Sequence, residues 1–560
     1  MKDAFLKKAV CFMIPAVLGM NLLSACSLMH PGGEKDGIEA QNTDPYAGYI
    51  YAVEDEPDTV DFQCTTIYYT IATNVFNRLV EIENDRKGNV VIRPSLVKSW
   101  EISEDGRVYH FQLRDNIRFS NDSPLTSEDV EYTFTRLMTH PDSSNTDVGE
   151  MILGAKALAE GRAERLEGFE ILNDLEFNIT LEQPFSAFLA CMAMPGASIL
   201  DKETTEEAGD RFGKDPAWTI GTGSFILTDW TPGEGMKLKA NKNCWLGAPA
   251  SEGLILLFLT DPEEIRRQFE AGRLDLLNLE DVGSSSEYFM HGETYRNRLH
   301  EVQRIAITYI ALNASVPSLQ DVRVRKALQM ALNRPVLLEA VYSGRGKVEN
   351  GIFPEGLYGY NPELPEIPYD PEGAAALLEE AGVPKGFAFD VYVKNSSTQS
   401  ELNLLKLAAE MWAKAGIRAD IKVISEDEFM SRRKRGELDC YTAMWTADYN
   451  DPDNFIYTFF GNRANTVNRS LCYPREDIMK RVQDARGILD PDERIAEYRD
   501  LEKIIVQEDA AWIPLFTRKH YYVTSERLRG FSCDWMGSVK NRYRLMTVSS
   551  KPSSDSGKKQ

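Results

Sequence analysis

The clearest alternation of apolar and polar residues lies in the second half of the chain. Residues 388–393 are rich in β-branched and aromatic side chains, and apolar and polar positions alternate over 417–423, as in half-buried strands. Between these segments, apolar side chains recur about every 3.6 residues until Gly416, which predicts an amphipathic helix. The order strand, helix, strand predicts a βαβ unit in a parallel or mixed sheet. The apolar helix positions are Leu404, Leu405, Ala408, Met411, Trp412 and Ala415.

Other segments carry shorter signals of the same kinds. Runs of β-branched and aromatic residues predict strands at 49–53, 108–113, 305–312, 439–445 and 512–524. Periodic apolar positions and end signals predict helices at 128–138, 322–333, 371–381, 427–435 and 491–505. Ser127 is the expected N-cap of the first of these helices. The front third of the chain is therefore expected to be α+β, and the second half to contain the mixed sheet.

The beginning of the chain has the pattern of an export signal. A basic start, MKDAFLKK, precedes a largely apolar stretch from Ala9 to Leu23 and a small-residue cleavage site. A membrane span is the alternative, but it needs about 20 apolar residues, and this run is shorter and interrupted by Pro15 and Asn21. The sequence Leu-Ser-Ala-Cys that ends at Cys26 resembles the lipobox of bacterial lipoproteins. The resemblance implies cleavage before Cys26 and a diacylglycerol anchor on its thiol.

Composition and charge narrow the class of protein. The chain has 560 residues, 43% of them hydrophobic, so it can bury a large core in about three lobes. Its formal net charge of −23 argues against nucleic acid as a partner. Beyond the leader and Cys26, the cysteines are expected to be either free buried thiols or up to three disulfides formed outside the cytoplasm. These cysteines are Cys64, Cys191, Cys244, Cys440, Cys472 and Cys533.

Motifs of the common enzyme classes are absent from the sequence. There is no HExxH, GxSxG, Walker loop or complete GxGxxG, and the six histidines have no metal-ligand spacing. The segment IGTGSF at 220–225 lacks the phosphate-loop pattern and is interpreted as a tight turn that enters a strand. The sequence therefore predicts no catalytic residue, no cofactor and no metal. A hydrolase whose carboxylates converge only in the folded chain stays open as an alternative.

A candidate ligand loop, WTADYNDPDNF at 445–455, follows a predicted strand directly. Asp451 is expected to shape a turn, and Asp453 to cap a helix that begins near Asn454, as aspartates commonly do. Asp448 follows the strand end, where an ionised carboxylate could meet a cationic ligand group in a sheltered cleft. Spacing alone supports a turn-forming and a ligand-binding role for Asp448 equally.

Seven ordered blocks of sequence point to one family. They are RPSLVKSWEIS at 93–103, DG at 105–106, YHFQLR at 109–114, PLTSEDV at 124–130, IGTGSFIL at 220–227, DVRVRKAL at 321–328 and YDPEGAAALLEEAG at 369–382. In these blocks the chain resembles the extracytoplasmic solute-binding proteins of ABC importers that include the dipeptide- and oligopeptide-binding proteins. The resemblance covers nearly all of the chain after Cys26. One departure is the turn NDSP at 121–124, where many members carry a glycine, and it concerns local turn geometry only.

The resemblance implies an α/β, bilobed fold of the periplasmic-binding-protein type (type II), with mixed sheets, an additional domain and a two-strand hinge. Such a protein closes over its ligand, because contacts made in the closed form select that form. The crossing strands of the hinge are expected near 305–315 and 510–520.

The resemblance also implies a division of the chain into domains. The expected division is a signal peptide at 1–25, a flexible spacer at 26–44, lobe I at 45–80, 200–304 and 516–548, the additional domain, packed on lobe I, at 81–199, lobe II with the ligand loop at 305–515, and a disordered tail at 549–560.

The same resemblance implies residues of a peptide site. In peptide-binding members, the aspartate three residues after the tryptophan pairs with the ligand's α-amino group, and Asp448 matches that position. Trp445 is expected either to wall the same pocket or to belong to the core, and Asn450 is included in the site. Arg433 lies near a position where similar proteins hold an arginine close to the ligand carboxylate, and a solvated helix face is its alternative. The opposing lobe is expected to offer hydrogen bonds from Thr65 and Thr66.

The sequence as a whole predicts a receptor and not an enzyme. A lipid-anchored extracytoplasmic monomer is expected to bind a peptide in its cleft and to deliver it to the permease subunits of an ABC importer with cytoplasmic ATPases. The peptide backbone would pair as an added strand. The same fold could instead bind a nickel chelate, an oligosaccharide or an opine, or serve as a peptide sensor without transport. The anchored surface is expected to face either a periplasm or the open medium.

Overall fold

The structure is a computed structural model, and the residues it describes are 47–65, 68–84, 90–533 and 542–549. The predicted signal peptide and spacer, with Cys26, lie outside the described residues. Thr66 and positions 550–560 of the predicted tail lie outside them as well. Lipidation of Cys26 and a ligand contact from Thr66 therefore stay predictions.

Strands and helices alternate along the described chain. The strands are β1 Tyr49–Val53, β2 Val80–Asn84, β3 Val90–Pro94, β4 Val97–Ile102, β5 Val108–Leu113, β6 Phe169–Asn173, β7 Glu176–Thr180, β8 Phe225–Thr231, β9 Gly235–Ala240, β10 Gly253–Leu257, β11 Leu276–Asn278, β12 Leu299–Val302, β13 Ala306–Leu312, β14 Gly346–Val348, β15 Ala388–Lys394, β16 Arg418–Ile424, β17 Cys440–Thr446, β18 Trp512–Arg518, β19 His520–Thr524, β20 Leu528–Arg529 and β21 Thr547–Val548. The helices are α1 Thr70–Val75, α2 Ser127–Thr139, α3 Ala155–Ala159, α4 Phe188–Cys191, α5 Lys202–Ala208, α6 Pro262–Glu270, α7 Ser286–His291, α8 Val322–Met330, α9 Arg334–Tyr342, α10 Pro371–Glu380, α11 Gln399–Lys414, α12 Glu426–Lys434, α13 Pro452–Phe460, α14 Arg463–Asn468, α15 Glu476–Ala485 and α16 Pro491–Lys503. Among the described residues, no helix is both long and apolar enough to cross a membrane.

A seven-stranded sheet combines early and late parts of the chain. Its strands lie in the order β12, β19, β11, β1, β10, β9, β8. The first strand, β1, pairs in parallel with β10, and the late strand β19 lies antiparallel between β12 and β11. Buried apolar side chains of β1, β8, β9 and β10 form one core with those of α1. The late segment therefore completes a lobe that the first strand began.

A six-stranded sheet is built from residues after 305. Its strands lie in the order β14, β18, β13, β17, β15, β16. β15 and β16 are parallel and α11 connects them, so the predicted βαβ unit is confirmed. Every residue of β13 is buried, because core clusters cover both faces of this central strand. Its neighbour β17 runs antiparallel to it and ends at Thr446, just before the candidate ligand loop.

The chain passes between these two sheets twice within residues 90–533. The first passage runs from β12 to β13 through 303–305, and the second runs from β18 to β19 through Lys519. The two passages are neighbours, because the Thr517 hydroxyl donates to the Arg304 carbonyl at 3.1 Å. Two sheets with separate cores and two adjacent connections define a bilobed architecture.

A third sheet, of four strands, comes from the front third of the chain. Its order is β4, β5, β7, β6, and α2 contributes Val130, Phe134 and Leu137 to the same core. The prediction of Ser127 as the N-cap of α2 is wrong by one residue. Thr126 occupies the cap, where its backbone N–H and its hydroxyl donate to Asp129 Oδ2 at 2.8 and 3.1 Å. Serine and threonine both suit an N-cap, so residue type did not separate the two neighbours.

Two further expectations are settled within the described chain. The predicted helix 322–333 ends at Met330, because Asn333 caps a separate helix, α9, by accepting the backbone N–H of Val336 at 3.1 Å. The cysteines follow the free-thiol alternative and not a set of three disulfides. The free thiols include Cys64, Cys191, Cys244, Cys440 and Cys472.

Candidate functional site

A cavity of about 580 Å³ lies where residues 147–191 meet residues 433–486. This volume falls within the range of about 300–1,000 Å³ that small-molecule sites occupy. We call one side the N-terminal wall, which consists of Asp147, Glu150, Phe185 and Cys191. The opposite side, the C-terminal wall, includes Arg433, Lys434, Trp445, Asp448, Arg469 and Arg486. The structure thus brings together three of the predicted site residues: Arg433, Trp445 and Asp448.

Asp448 is held at the end of β17 by reciprocal hydrogen bonds with Asn454. The Asn454 amide donates to Asp448 Oδ2 at 2.9 Å, and the Asp448 backbone N–H donates to Asn454 Oδ1 at 3.0 Å. Trp445 Nε1 donates to the same amide oxygen at 3.2 Å. The surrounding protein raises the pKa of Asp448 to about 6, chiefly because burial disfavours the charged form. Among the described residues Asp448 has no ion-pair partner, so its carboxylate can accept a cation from a ligand.

The aspartates that follow Asp448 have structural roles, and one prediction about them is wrong. Asp451, not Asp453, caps α13 by accepting the Asp453 backbone N–H at 2.9 Å. Pro452 suits the first helical position, which places the cap one residue before it. Asp451 also forms an ion pair with Arg494 at 2.6 Å, and Asp453 is fully buried beside Arg486 at 3.0 Å. These pairs fix the loop that carries Asp448.

Cationic side chains lie on the same wall as Asp448. The Arg469 guanidinium lies 4.8 Å from the centre of the Trp445 ring, within cation–π range. Arg433, near the end of α12, lines the cavity, and its Nε is buried without a hydrogen-bond partner among the described residues. Its neighbours Lys434 and Arg435 are exposed, as the solvated-face alternative requires. Arg433 itself lines the cavity, and its contact with an anionic ligand group stays a prediction.

Carboxylates dominate the N-terminal wall, and sequence reasoning missed them. Asp147 lies in the short 3-10 helix Thr146–Val148, and Glu150 follows its C-cap, Gly149. Both residues are solvent-exposed and line the cavity. Desolvation by the surrounding protein nevertheless raises the pKa of each carboxyl. The Asp147 charge also raises the pKa of Asp448, and both residues line the cavity. The turn-rich sequence around them carried no signal beyond that of an ordinary loop.

The two walls touch directly beside the cavity. Ser186 Oγ donates to the Ile488 carbonyl at 2.6 Å, and the Ser186 backbone N–H donates to the Arg486 carbonyl at 3.0 Å. The Arg486 guanidinium lies 4.3 Å from the Phe185 ring and 3.8 Å from the Tyr457 ring. One side chain thus joins an aromatic ring from each wall. The structure therefore represents a cleft whose sides are in contact.

Two predicted site residues lie outside the set that lines this cavity. Asn450 is buried, accepts the Tyr358 backbone N–H at 2.7 Å and donates to the Gly356 carbonyl at 3.2 Å. The Thr65 carbonyl accepts a hydrogen bond from the Asn145 side-chain amide at 2.7 Å. Asn145 precedes Asp147 by two residues. Asn450 therefore supports a neighbouring loop, and Thr65 supports the segment that carries the N-terminal wall. Their roles as ligand contacts stay predictions.

A bilobed α/β protein with a cavity between contacting walls belongs to the class of binding proteins that close over a ligand. Within that class, the chain belongs to the bacterial extracellular solute-binding proteins, family 5, whose model matches residues 91–466.

Individual relatives support the same placement. The chain is 29% identical to the heme-binding protein A of Haemophilus influenzae, over 83% of this chain and 86% of that protein. It is 28% identical to the dipeptide-binding protein of Escherichia coli K12, over 89% of this chain and 94% of that protein. The solved structure of HbpA2 from Haemophilus parasuis matches with a TM-score of 0.76 and 26% identity, over 90% of this chain and 99% of that one.

Proposed function

We propose that the protein captures peptides in the cavity between its walls and delivers them to an ABC importer. The observation that carries the proposal is Asp448, a carboxylate without an ion-pair partner among the described residues, held in place by Asn454 at the edge of the cavity. A buried ammonium group needs such a partner, because an unpaired buried charge is very costly. The free α-amino group of a peptide supplies that ammonium, and the naming of one relative as a dipeptide-binding protein supports this choice.

The opposite charge of a peptide also has a place in the cavity. Arg433 and Arg469 lie on the same wall as Asp448, and their guanidinium groups suit a carboxylate. A zwitterionic ligand therefore meets the carboxylate of Asp448 and the guanidinium groups of Arg433 and Arg469 along the C-terminal wall. Neutral oligosaccharides would leave Asp448 unpaired, and this disfavours them as cargo.

The membrane anchor is the second part of the proposal. Lipidation of Cys26 would hold the receptor near a permease and raise its effective concentration there. The full chain and a Cys26→Ser variant, expressed in a bacterial host, are expected to separate on fractionation. The full chain should partition with membranes, and the variant should appear in the soluble extracytoplasmic fraction. Equal partitioning of both would contradict the anchor.

Titration calorimetry with di- to pentapeptides tests peptide capture. Peptides with free N-termini are expected to bind, and N-acetylation of the same peptides should weaken binding by about 100-fold or more, since it removes the ammonium partner of Asp448. Haem and a nickel–histidine complex serve as comparison ligands. Binding of either of these without any binding of peptides would replace the proposal.

A further inference from the structure

Three metal-ligating side chains meet outside the ligand cavity. Asp61 and Cys64 lie in the turn before α1, and His140 follows the last residue of α2. One carboxylate oxygen, the thiol sulfur and one ring nitrogen lie within 4.8 Å of one another. Asp61 is buried, whereas Cys64 and His140 are partly exposed, so solvent and ions can reach the group. The sequence did not indicate this cluster, because 76 residues separate Cys64 from His140.

Two separations among these atoms, both from the Cys64 sulfur, match the edges of a tetrahedral coordination shell. Cys64 Sγ lies 3.3 Å from Asp61 Oδ2 and 3.5 Å from His140 Nδ1. Zinc bound at about 2.3 Å to sulfur and about 2.0 Å to nitrogen or oxygen places tetrahedral ligands about 3.5 Å apart. A cation bound to all three would hold the Asp61 and His140 ligand atoms about 3.3 Å apart, and the three ligand atoms now lie within 4.8 Å of one another.

The surrounding groups orient Asp61 and show which His140 nitrogen is unprotonated. Arg136 Nη2 donates to Asp61 Oδ2 at 2.6 Å, and the Gln63 backbone N–H donates to Asp61 Oδ1 at 3.0 Å. A carboxylate oxygen has two lone pairs, so Oδ2 can keep the guanidinium and still bind a cation. The Asp142 backbone N–H donates to His140 Nδ1 at 3.2 Å, which identifies that nitrogen as the unprotonated one. Arg136 and Gln63 are outer partners of the kind that commonly orient a metal ligand, whereas the Asp142 N–H occupies the single lone pair of Nδ1 and must move aside for a cation.

We propose that Asp61 Oδ2, Cys64 Sγ and His140 Nδ1 form a binding site for a borderline-soft divalent cation of the zinc type, with solvent at the fourth position. Mixed sulfur, nitrogen and oxygen ligands suit Zn²⁺ better than Mg²⁺ or Ca²⁺, which prefer oxygen alone. On binding, the thiol releases its proton to solvent and the cation takes its place between sulfur and carboxylate. The long hydrogen bond from Asp142 to His140 gives way to the new bond.

The position of the site links it to the N-terminal wall. The Asn145 amide donates to the carbonyls of Phe62 and Thr65 at 2.9 and 2.7 Å, and Asp147 follows two residues later. A cation that ties the turn before α1 to the end of α2 therefore also stabilises the segment after His140, which carries Asn145 and Asp147. It should raise the thermal midpoint of the folded chain, because it binds only the folded arrangement.

Titration of the reduced full chain with Zn²⁺ and Co²⁺ tests the site. Cys64→Ser and His140→Ala should each weaken Zn²⁺ binding by about 100-fold or more, since loss of even an outer partner commonly costs 10–100-fold. Cys472→Ser is the matched control, because it removes one thiol distant from the cluster and should leave binding unchanged. Unchanged Zn²⁺ binding in both cluster variants would overturn the proposal.

Absorption of the Co²⁺ complex of the unaltered chain gives a readout that needs no variant. A thiolate-to-cobalt band with intense tetrahedral bands is expected, and these bands should be lost in Cys64→Ser but kept in Cys472→Ser. Weak octahedral bands without thiolate absorption would overturn the site even if the variants fail to fold. The site is independent of peptide capture, so loss of one leaves the other standing.

Discussion

The two walls of the cavity hold their charged groups in different ways. On the C-terminal wall, Asn454 fixes Asp448 through two hydrogen bonds, in a loop that paired charges anchor. On the N-terminal wall, Asp147 lies in the one-turn helix Thr146–Val148, and Asn145 tethers that turn to the segment before α1. Under the proposed function, we expect the C-terminal wall to orient the ligand and the N-terminal wall to add negative charge.

The sharpest test of this comparison removes the carboxylate of the C-terminal wall. Asp448→Ala should cost on the order of 3–5 kcal/mol of peptide binding, because the ligand ammonium then lies buried without a partner. Titration calorimetry with the tightest-binding peptide measures the loss. Asp229→Ala, on an exposed part of β8, is the control and should bind as the parent does. If Asp448→Ala also leaves the affinity unchanged, the anchor has been assigned to the wrong residue.

The pH dependence of binding should come mainly from the same residue. Binding should be about tenfold weaker at pH 5 than at pH 7, since a carboxyl with a pKa of about 6 is mostly protonated at pH 5. Asp448→Asn should flatten most of this profile, with a remainder from Asp147 and Glu150. Without ligand the sign reverses. The folded chain holds this proton more tightly than the unfolded chain does, so the contribution of Asp448 to stability rises as pH falls from 7 to 5.

A charge removal on the N-terminal wall should have a smaller effect than one on the C-terminal wall. Asp147→Asn should weaken peptide binding by about fivefold, because its charge attracts the ammonium at a distance without anchoring it. The same substitution should lower the pKa of Asp448, since Asp147 raises it now. Calorimetry across pH measures both effects. A loss as large as that of Asp448→Ala would mean that the two walls share the anchor equally.

The smallest expected effect concerns the contact between the walls. Ser186→Ala removes the 2.6 Å hydrogen bond to the Ile488 carbonyl and should destabilise the closed form by about 0.5–1 kcal/mol. Peptide affinity should fall about threefold, and small-angle scattering should record a slightly larger radius of gyration without ligand. Ser103→Ala, in an exposed turn, serves as the control. An unchanged affinity and radius would mean that this bond forms equally in the open form.

The sequence predicted the C-terminal wall better than the N-terminal wall for a physical reason. Regular periodicity identified β15, α11 and β16. The predicted strand before Asp448 placed that residue just beyond the C-terminal end of a strand. Asp147 lies in a short irregular turn, where periodicity carries no information, and it reaches the cavity only through long-range packing. The wrong assignments of the caps to Asp453 and Ser127 arose where a residue one or two positions earlier has a similar capping ability.

Two adjacent passages, at 303–305 and at Lys519, join the two large sheets within residues 90–533. Because they lie side by side, relative motion of the lobes reduces to rotation about one short axis. The angle between the two lobes would then depend on whether cargo is bound. A membrane partner that touches both lobes could read that angle as one distance between two surface points. Under the proposed function, we expect this distance to distinguish the loaded receptor from the empty one, whichever cargo closes the walls.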